Sequence, residues 1–568
     1  MSEMSRVSRR NFIKAAGLGA SGAVLGATTL SSAAAQEVLW DETADVIAVG
    51  SGGAALAGAV GALDNGATVI VLEKGPVIGG TTAKSGGGAW VPNNHHQRAA
   101  GITDDRDTYL KYCARVAFPE LYRENSPVYG LPEATFRLLE ANYDNAARIF
   151  EHLDSTGAHP STLALSWEGK PGSDYHGQLP ENGGIKGRQV SPRTDDGKEG
   201  FGATLIGNMS NYLRGKGGVI HTGHRVTRIL MNEEGRVIGV EAEVGGETKR
   251  FLANKGVIFG SGGFTHNPHM RSNYLRTPVM GGCAVPTNQG DLILMASEVG
   301  AKFGNLNEAW NQQVVLDEVL TFSSVPSGVF FLGGDSSIAV NKFGKRMYDE
   351  KYVYPERTRS HQAYDIFQGD YPNLYQIFIF DEKCREFGGA LIPGSDADLP
   401  AYVISGETLE ELAENIQARF DELADKIGPY PLDAGFLDGL RETIERYNGF
   451  AETGVDSDFH RGEAPVDSFF HAVPLDRGYP NPYMAPISDT GPFYAVLLGA
   501  GALDTKGGPV FNEHGQVVNI HDEPIPGFYV AGNAGASPSG KSYLGGGGTL
   551  GLGMTFGYLA GEHAAKQG

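Results

Sequence analysis

Cysteine is scarce: the 568-residue chain has three, Cys113, Cys283 and Cys384, and none sits in a CxxC or CxxCH spacing. This excludes a disulfide framework, a zinc ribbon, an iron–sulfur cluster and covalently attached haem. Positive charge is also short. Lys and Arg total 46 against 67 Asp and Glu, a formal net charge of −21. Such a chain repels phosphate backbones, so no nucleic-acid partner is expected. Beyond residue 36 there is no uninterrupted, strongly apolar run of about 18 residues, and no stable membrane span is expected in the mature chain. Sustained heptads and a fixed glycine period are missing, which excludes coiled-coil and collagen-like folds. No metal-ligand constellation emerges, and His95-His96 reads as a solvated loop.

Glycine, by contrast, is abundant, at 81 residues. That is about twice average usage. The glycines cluster, as in loops where backbone approaches a ligand closely. With 41% hydrophobic and 20% charged residues the chain is globular, and its length suggests two or more domains.

The first 35 residues carry Ser8-Arg9-Arg10-Asn11-Phe12-Ile13-Lys14, a Gly/Ala-rich stretch to about Leu30, and Ala33-Ala34-Ala35 before Gln36. This resembles a twin-arginine signal. The resemblance implies cleavage, the twin-arginine export machinery as a partner, and a periplasmic or exported protein.

Asp45–Val49 is a short apolar run suited to a buried parallel strand. The turn Gly50-Ser51-Gly52-Gly53-Ala54-Ala55 follows, then a helical stretch to about Asp64 closed by Asn65-Gly66, then a second strand to Leu72 and Glu73. A strand, a GxGxxA turn, a helix, a strand and an acid in this register form a dinucleotide-binding unit. Gly50 permits the tight turn and Gly52 the approach of a pyrophosphate. Ala55 allows close helix–strand packing, and Glu73 can accept from a ribose diol. The helix N-terminus offers free N–H groups to phosphates.

A second Gly-rich segment, residues 75–90, contains "GGTTAKSGGGAWVPNN". It resembles the flavin-side loop of the fumarate reductase and succinate dehydrogenase flavoprotein superfamily, and within it most closely the 3-ketosteroid dehydrogenases. Gly256–Phe264, Pro492–Ala495, Phe528–Asn533 and Gly545–Gly551 follow the same family order. The resemblance implies FAD and an α/β fold: a discontinuous Rossmann-like FAD-binding domain (37–310 and 488–568) with an inserted α+β substrate domain (311–487). It also implies FAD contacts from Lys74, Gly80, Thr81, Thr82, Ser85, Gly86, Gly87, Gly88, Val226, Gly262, Gly263, Gly532, Asn533, Gly548, Thr549 and Leu550, beside Gly50, Gly52, Gly53, Ala54, Ala55 and Glu73. A final helix at about 549–566 points its N-terminus at the flavin pyrimidine. Within the insert, Thr408 and Glu411 read as a capping box.

Two positions that hold substrate-binding arginines in the fumarate reductases are Tyr354 and Tyr543 here, and the HTMGG histidine segment reads Leu503-Asp504-Thr505-Lys506-Gly507-Gly508. Arg grips a carboxylate bidentately and Tyr cannot, so a dicarboxylate substrate is disfavoured. The ketosteroid dehydrogenases have tyrosines at both places. By that resemblance, Tyr543 and the Gly547 N–H polarise a ketone as an oxyanion pair, and Tyr354 takes the α proton with Tyr175 in support; His176 is the alternative to Tyr175. A free Tyr has a pKa of about 10, so the site must lower that value or relay the proton onward. Tyr494 reads as packing beside the flavin, and Trp90 as pocket lining or core.

The leading function is FAD-dependent α,β-desaturation of a small neutral cyclic ketone, a 3-ketosteroid or a cyclohexanone-like ring, with a quinone or redox protein as external acceptor. An exported enoate reductase running the hydride transfer in reverse is the second reading. A non-catalytic flavin-carrying electron-transfer or assembly subunit is the third.

Overall fold

The computed structural model describes residues 39–276, 278–326, 328–471 and 476–567. The expected signal segment lies outside the described residues.

The nucleotide-binding half begins with β1 (Glu42–Val49), α1 (Gly53–Asp64) and β2 (Val69–Leu72). Burial on both faces explains the unbroken apolar runs of β1 and β2. An excursion follows, carrying α2 (His95–Ala99), α3 (Glu133–Ser155) and α4 (Gly202–Gly215). The chain then returns through β3 (Val219–His221), β4 (Arg225–Met231), β5 (Val237–Val244) and β6 (Glu247–Phe259).

A second sheet comes next. It contains β7 (Ala309–Val315), β8 (Ser337–Val340), β9 (Gln376–Asp381), β10 (Val403–Gly406) and β11 (Phe493–Thr505), with helices α5 (Tyr354–Arg359), α6 (Leu409–Ile427) and α7 (Phe436–Thr453) between strands. The chain ends with β12 (Gln516–Val518), β13 (Pro524–Val530) and α8 (Gly548–Ala565). Only the N-cap half of the expected capping box is present at α6, because the Glu411 carboxylate accepts from Glu407 and not from Thr408. Thr408 accepts from the Glu411 N–H at 3.2 Å, and the Glu411 carboxylate reaches back to the Glu407 N–H at 2.8 Å. Such a cap is worth about 1 kcal/mol.

The first sheet runs β12-β13-β6-β1-β2-β3, with the β4–β5 ribbon attached antiparallel to β6. β13 joins β6 in parallel, so the C-terminal segment completes the sheet begun by β1. The second sheet runs β7-β11-β9-β8, with β10 also on β11. β11 was expected with the closing flavin segment, but it pairs with the insert strands. Its first half lies against β9 and β10 and its second half against β7. This carries Leu503 and Asp504 from the second sheet to the flavin side. Both sheets lie in one unit, Trp40–Gly568.

α1 and α8 pack at backbone distance. A Cβ on Gly561 would lie 2.0 Å from the Gly58 carbonyl oxygen, and one on Gly61 2.5 Å from that of Tyr558. Glycine is the residue that allows this approach.

Candidate active site

The end of β1 shapes the cradle. Gly50 has φ +98°, and a Cβ there would sit 2.7 Å from the Gly260 carbonyl oxygen at the end of β6. Gly52 precedes α1, and the Gly53 N–H at the helix start donates to Thr82 Oγ1 at 3.0 Å. Ser51 Oγ donates to Glu73 Oε2 at 2.5 Å, and the Gly75 N–H donates to Oε1 at 2.6 Å. Glu73 is thus fixed at the tip of β2 with lone pairs remaining.

Gly50, Gly52, Gly53, Ala54 and Glu73 line a continuous cavity of about 880 Å³. Lys74, Gly80, Thr81, Thr82, Ser85 and Gly86–Gly88 extend its wall, as do Val226 on β4, Gly262, Gly532, Asn533, Thr549 and Leu550. A bare-backbone turn, a helix N-terminus and an acid in one cavity are what a dinucleotide needs, and these residues fit FAD.

Three of the expected contacts lie behind the wall. Ala55 is buried beneath Gly260, where a Cβ would come 2.7 Å from the Ala55 Cβ; the close approach is therefore given by Gly260 as much as by Ala55. The Gly263 N–H donates to Asp504 Oδ2 at 2.9 Å. Gly548 is buried in the first turn of α8. Lys74 reaches the wall, but its ammonium is paired with Asp291 at 2.8 Å.

Asp504 is a residue that sequence reasoning missed. Its carboxylate also accepts from Thr265 Oγ1 (2.8 Å), Asn288 Nδ2 (2.7 Å) and Asn533 Nδ2 (3.2 Å). Burial pushes its carboxyl above the usual range against these donors. Asn288 in turn donates to Thr81 at 3.4 Å. Asp504 thereby ties β11 to the loop after β6 and to the Gly532 turn. No local motif marks it, because its partners come from separate parts of the chain.

At the other end of the cavity stand Tyr175, Tyr354 and Tyr543, each at most 4% exposed. Tyr354 starts α5, Tyr543 lies in the Gly-rich turn before α8, and Tyr175 comes from the excursion. Their ring centroids are 5.1 Å (Tyr175–Tyr543), 5.8 Å (Tyr175–Tyr354) and 6.0 Å (Tyr354–Tyr543) apart. The Tyr175 hydroxyl donates to the Tyr354 hydroxyl at 3.0 Å. Phe330 packs edge-on to Tyr354 and Trp310 to Tyr543.

Burial pushes the hydroxyls of Tyr175 and Tyr354 well above 10, and their mutual proximity adds to the rise in Tyr354. Burial also raises Tyr543, but hydrogen bonding from Thr549, Tyr354 and the Gly547 amide acts the other way. Gly547, at φ +83°, is the N-cap of α8, so its N–H lies at the positive end of that helix. Tyr543 and Gly547 both line the cavity.

Other expectations change. His176 does not line the cavity: its Nδ1 meets the Tyr352 hydroxyl at 3.0 Å. Trp90 is core, with its Nε1 donating to Asp174 at 2.7 Å. Tyr494 is not beside the cavity. It lies on the second sheet, stacked on Phe380 and bonded to Glu382 at 2.6 Å. His95 and His96 are not a solvated loop, because they begin α2 and both turn toward Asp154. Phe330, which packs on Tyr354, and Phe331 and Phe469 also line the cavity, an apolar surface that no spacing announces. Among the described residues no arginine lines the cavity.

The family model described as FAD binding domain matches residues 45–550. The 4-oxocyclohexanecarboxylate 2-dehydrogenase of Sinomonas cyclohexanicum is 31% identical, over 92% of this chain and 93% of its own. A 3-oxosteroid 1-dehydrogenase of Mycolicibacterium smegmatis is 32% identical, over 91% and 96%. Among solved structures, the 3-ketosteroid Δ1-dehydrogenase of Sterolibacterium denitrificans, in complex with 1,4-androstadiene-3,17-dione, superposes with a TM-score of 0.77 at 27% identity, over 92% of this chain and 99% of that one. The chain belongs to the FAD-binding flavoprotein family, on the branch that holds the 3-oxosteroid and oxocyclohexanecarboxylate dehydrogenases.

Proposed function

We propose that this protein desaturates the α,β bond of a neutral cyclic ketone. The observation that carries the reading is the cluster of Tyr175, Tyr354 and Tyr543, with Gly547 at the N-cap of α8, lining the same cavity as the dinucleotide cradle. FAD, which Gly50, Gly52, Gly53 and Glu73 would hold, would supply the acceptor for the hydride that leaves the β carbon. The chain's own residues handle the proton. Tyr543 and the Gly547 N–H hold the ketone oxygen and stabilise the charge that develops there, a contribution of about 10²–10³ in rate per donor. This makes the α proton acidic enough to remove. Tyr354 takes it as its phenolate, the form to which the Tyr175 hydroxyl donates at 3.0 Å, and is left as a neutral phenol. Phe330, Phe331 and Phe469 exclude water.

The test is anaerobic bleaching of the oxidised flavin band by cyclohexanone, 4-androstenedione or a saturated 3-ketosteroid. Bleaching that is lost in Tyr354→Phe and Tyr543→Phe supports desaturation and ranks the substrates by size. No bleaching by ketones, with reoxidation of the dithionite-reduced enzyme by fumarate, overturns it in favour of the reductase.

Two further readings belong here. Export through the twin-arginine route rests on Arg9-Arg10 and the Ala33–Ala35 site, and fractionation of wild type against an Arg9→Lys, Arg10→Lys double variant tests it. Transfer of the electrons to a quinone or redox protein is tested by turnover with each as sole acceptor.

A further inference from the structure

We propose that His95, His96 and Asp154 form a site for a divalent transition metal of the zinc type, separate from the flavin cavity. Adjacent residues on a helix point about 100° apart, yet both rings turn to one carboxylate oxygen. His95 Nε2 lies 2.9 Å and His96 Nε2 3.6 Å from Asp154 Oδ2. The ring centroids are 3.9 Å apart, and the three candidate ligand atoms all lie within 4.8 Å of one another. Bonds of about 2.0 Å in a tetrahedral site place ligand atoms about 3.3 Å apart, so little movement is needed to receive an ion. Two imidazoles and one carboxylate suit zinc, and also cobalt, nickel or copper, rather than magnesium or calcium, which take oxygen ligands.

The surroundings are built. The Asn94–Gln97 capping box, with Asn94 Oδ1 accepting from the Gln97 N–H at 2.9 Å, fixes the start of α2. Ser161 Oγ lies 3.0 Å from His96 Nε2 and 3.1 Å from Asp154 Oδ2, which closes the cluster on a third side. Two residues before it, His159 is wholly buried, and neither of its ring nitrogens has a hydrogen-bond partner. It is close enough to be influenced by the charges of Asp154, His95 and His96. The opposing cation is Arg193, 4.0 Å from Asp154 Oδ1, on the oxygen that does not face the imidazoles. None of these residues lines the flavin cavity. An ion here ties α2, the last turn of α3 and the strand Ser161–Leu163 together, and so anchors the segment that follows the flavin-side loop.

The test uses tag-free, FAD-loaded full chain, stripped with EDTA and desalted. It is titrated with Zn²⁺ by calorimetry and with Co²⁺ by visible absorption. The expected result is one Zn²⁺ per chain at micromolar or tighter affinity, a raised Tm, and cobalt d–d bands. His95→Gln, His96→Gln and Asp154→Asn should each weaken binding at least tenfold with the flavin band intact. The two glutamine variants decide the matter if Asp154→Asn does not fold. Absence of Zn²⁺ uptake by the wild type overturns the proposal, as does undiminished uptake by the His95→Gln, His96→Gln double variant.

Discussion

The hydroxyl of Tyr175 donates to the hydroxyl of Tyr354 at 3.0 Å, although the residues are 179 positions apart. Two phenols that share a proton in a buried site act as a unit. Replacing Tyr354 by Phe should lower the rate of flavin bleaching by about 10²–10⁴, the usual worth of a positioned acid–base group. Tyr175→Phe should cost less, and the double variant should fall far short of the product of the two single losses. Stopped-flow bleaching of the three proteins measures this.

Gly547 joins the two ends of the site. A Cβ there would lie 2.5 Å from the Gly88 carbonyl oxygen, on a residue with φ +83°. Gly547→Ala should therefore disturb the flavin-side loop as well as the oxyanion pair, and lower the flavin-to-protein ratio of the purified protein. Tyr543→Phe should keep that ratio and lose about 10²–10³ in rate.

Arg188 is fully buried between two carboxylates, at 2.7 Å from Asp104 and 2.5 Å from Asp174. Asp174 also accepts from Trp90 and Asn182 and immediately precedes Tyr175. Arg188→Met would leave buried carboxylates without their cation. The expected loss is about 3–5 kcal/mol, read from the urea midpoint, together with slower bleaching as Tyr175 loses its anchor.

Lys506 lies 4.4 Å above the Trp310 ring, which packs on Tyr543, and donates to the Ser542 carbonyl at 2.7 Å. Burial lowers its pKa from 10.5 to about 7. Between these values the unfolded chain holds the proton and the folded chain has released it. Stability from this group is therefore full above about 10.5 and is lost as pH falls toward 7. The stability difference between wild type and Lys506→Met should rise over that window, measured by urea unfolding at pH 7, 8.5 and 10.

How much of this the sequence disclosed depends on the range of the cause. Gly50, Gly52 and Glu73 were legible because a strand, a tight turn and a helix impose local backbone demands. Tyr543 was reached through the family resemblance, which sets a tyrosine where the fumarate reductases hold an arginine. Asp504, Asn288 and Arg188 were invisible, since each matters through partners from distant segments. His95-His96 was misread for the same reason: the pair becomes a cluster when α3 brings Asp154 beside it. Tyr494 was placed by chain order near the flavin, but β11 is long enough to start in one sheet and end at the other's cavity.

The glycine contact between α1 and α8 has a consequence for biosynthesis. α1 emerges from the ribosome early, yet the wall facing its N-terminus, Gly532, Asn533, Thr549 and Leu550, is translated near the end of the chain. A nascent or stalled polypeptide has half a nucleotide site. Flavin capture thus waits for the segment that holds Gly532 and Leu550, and retention of the yellow chromophore reports that this segment has docked on α1.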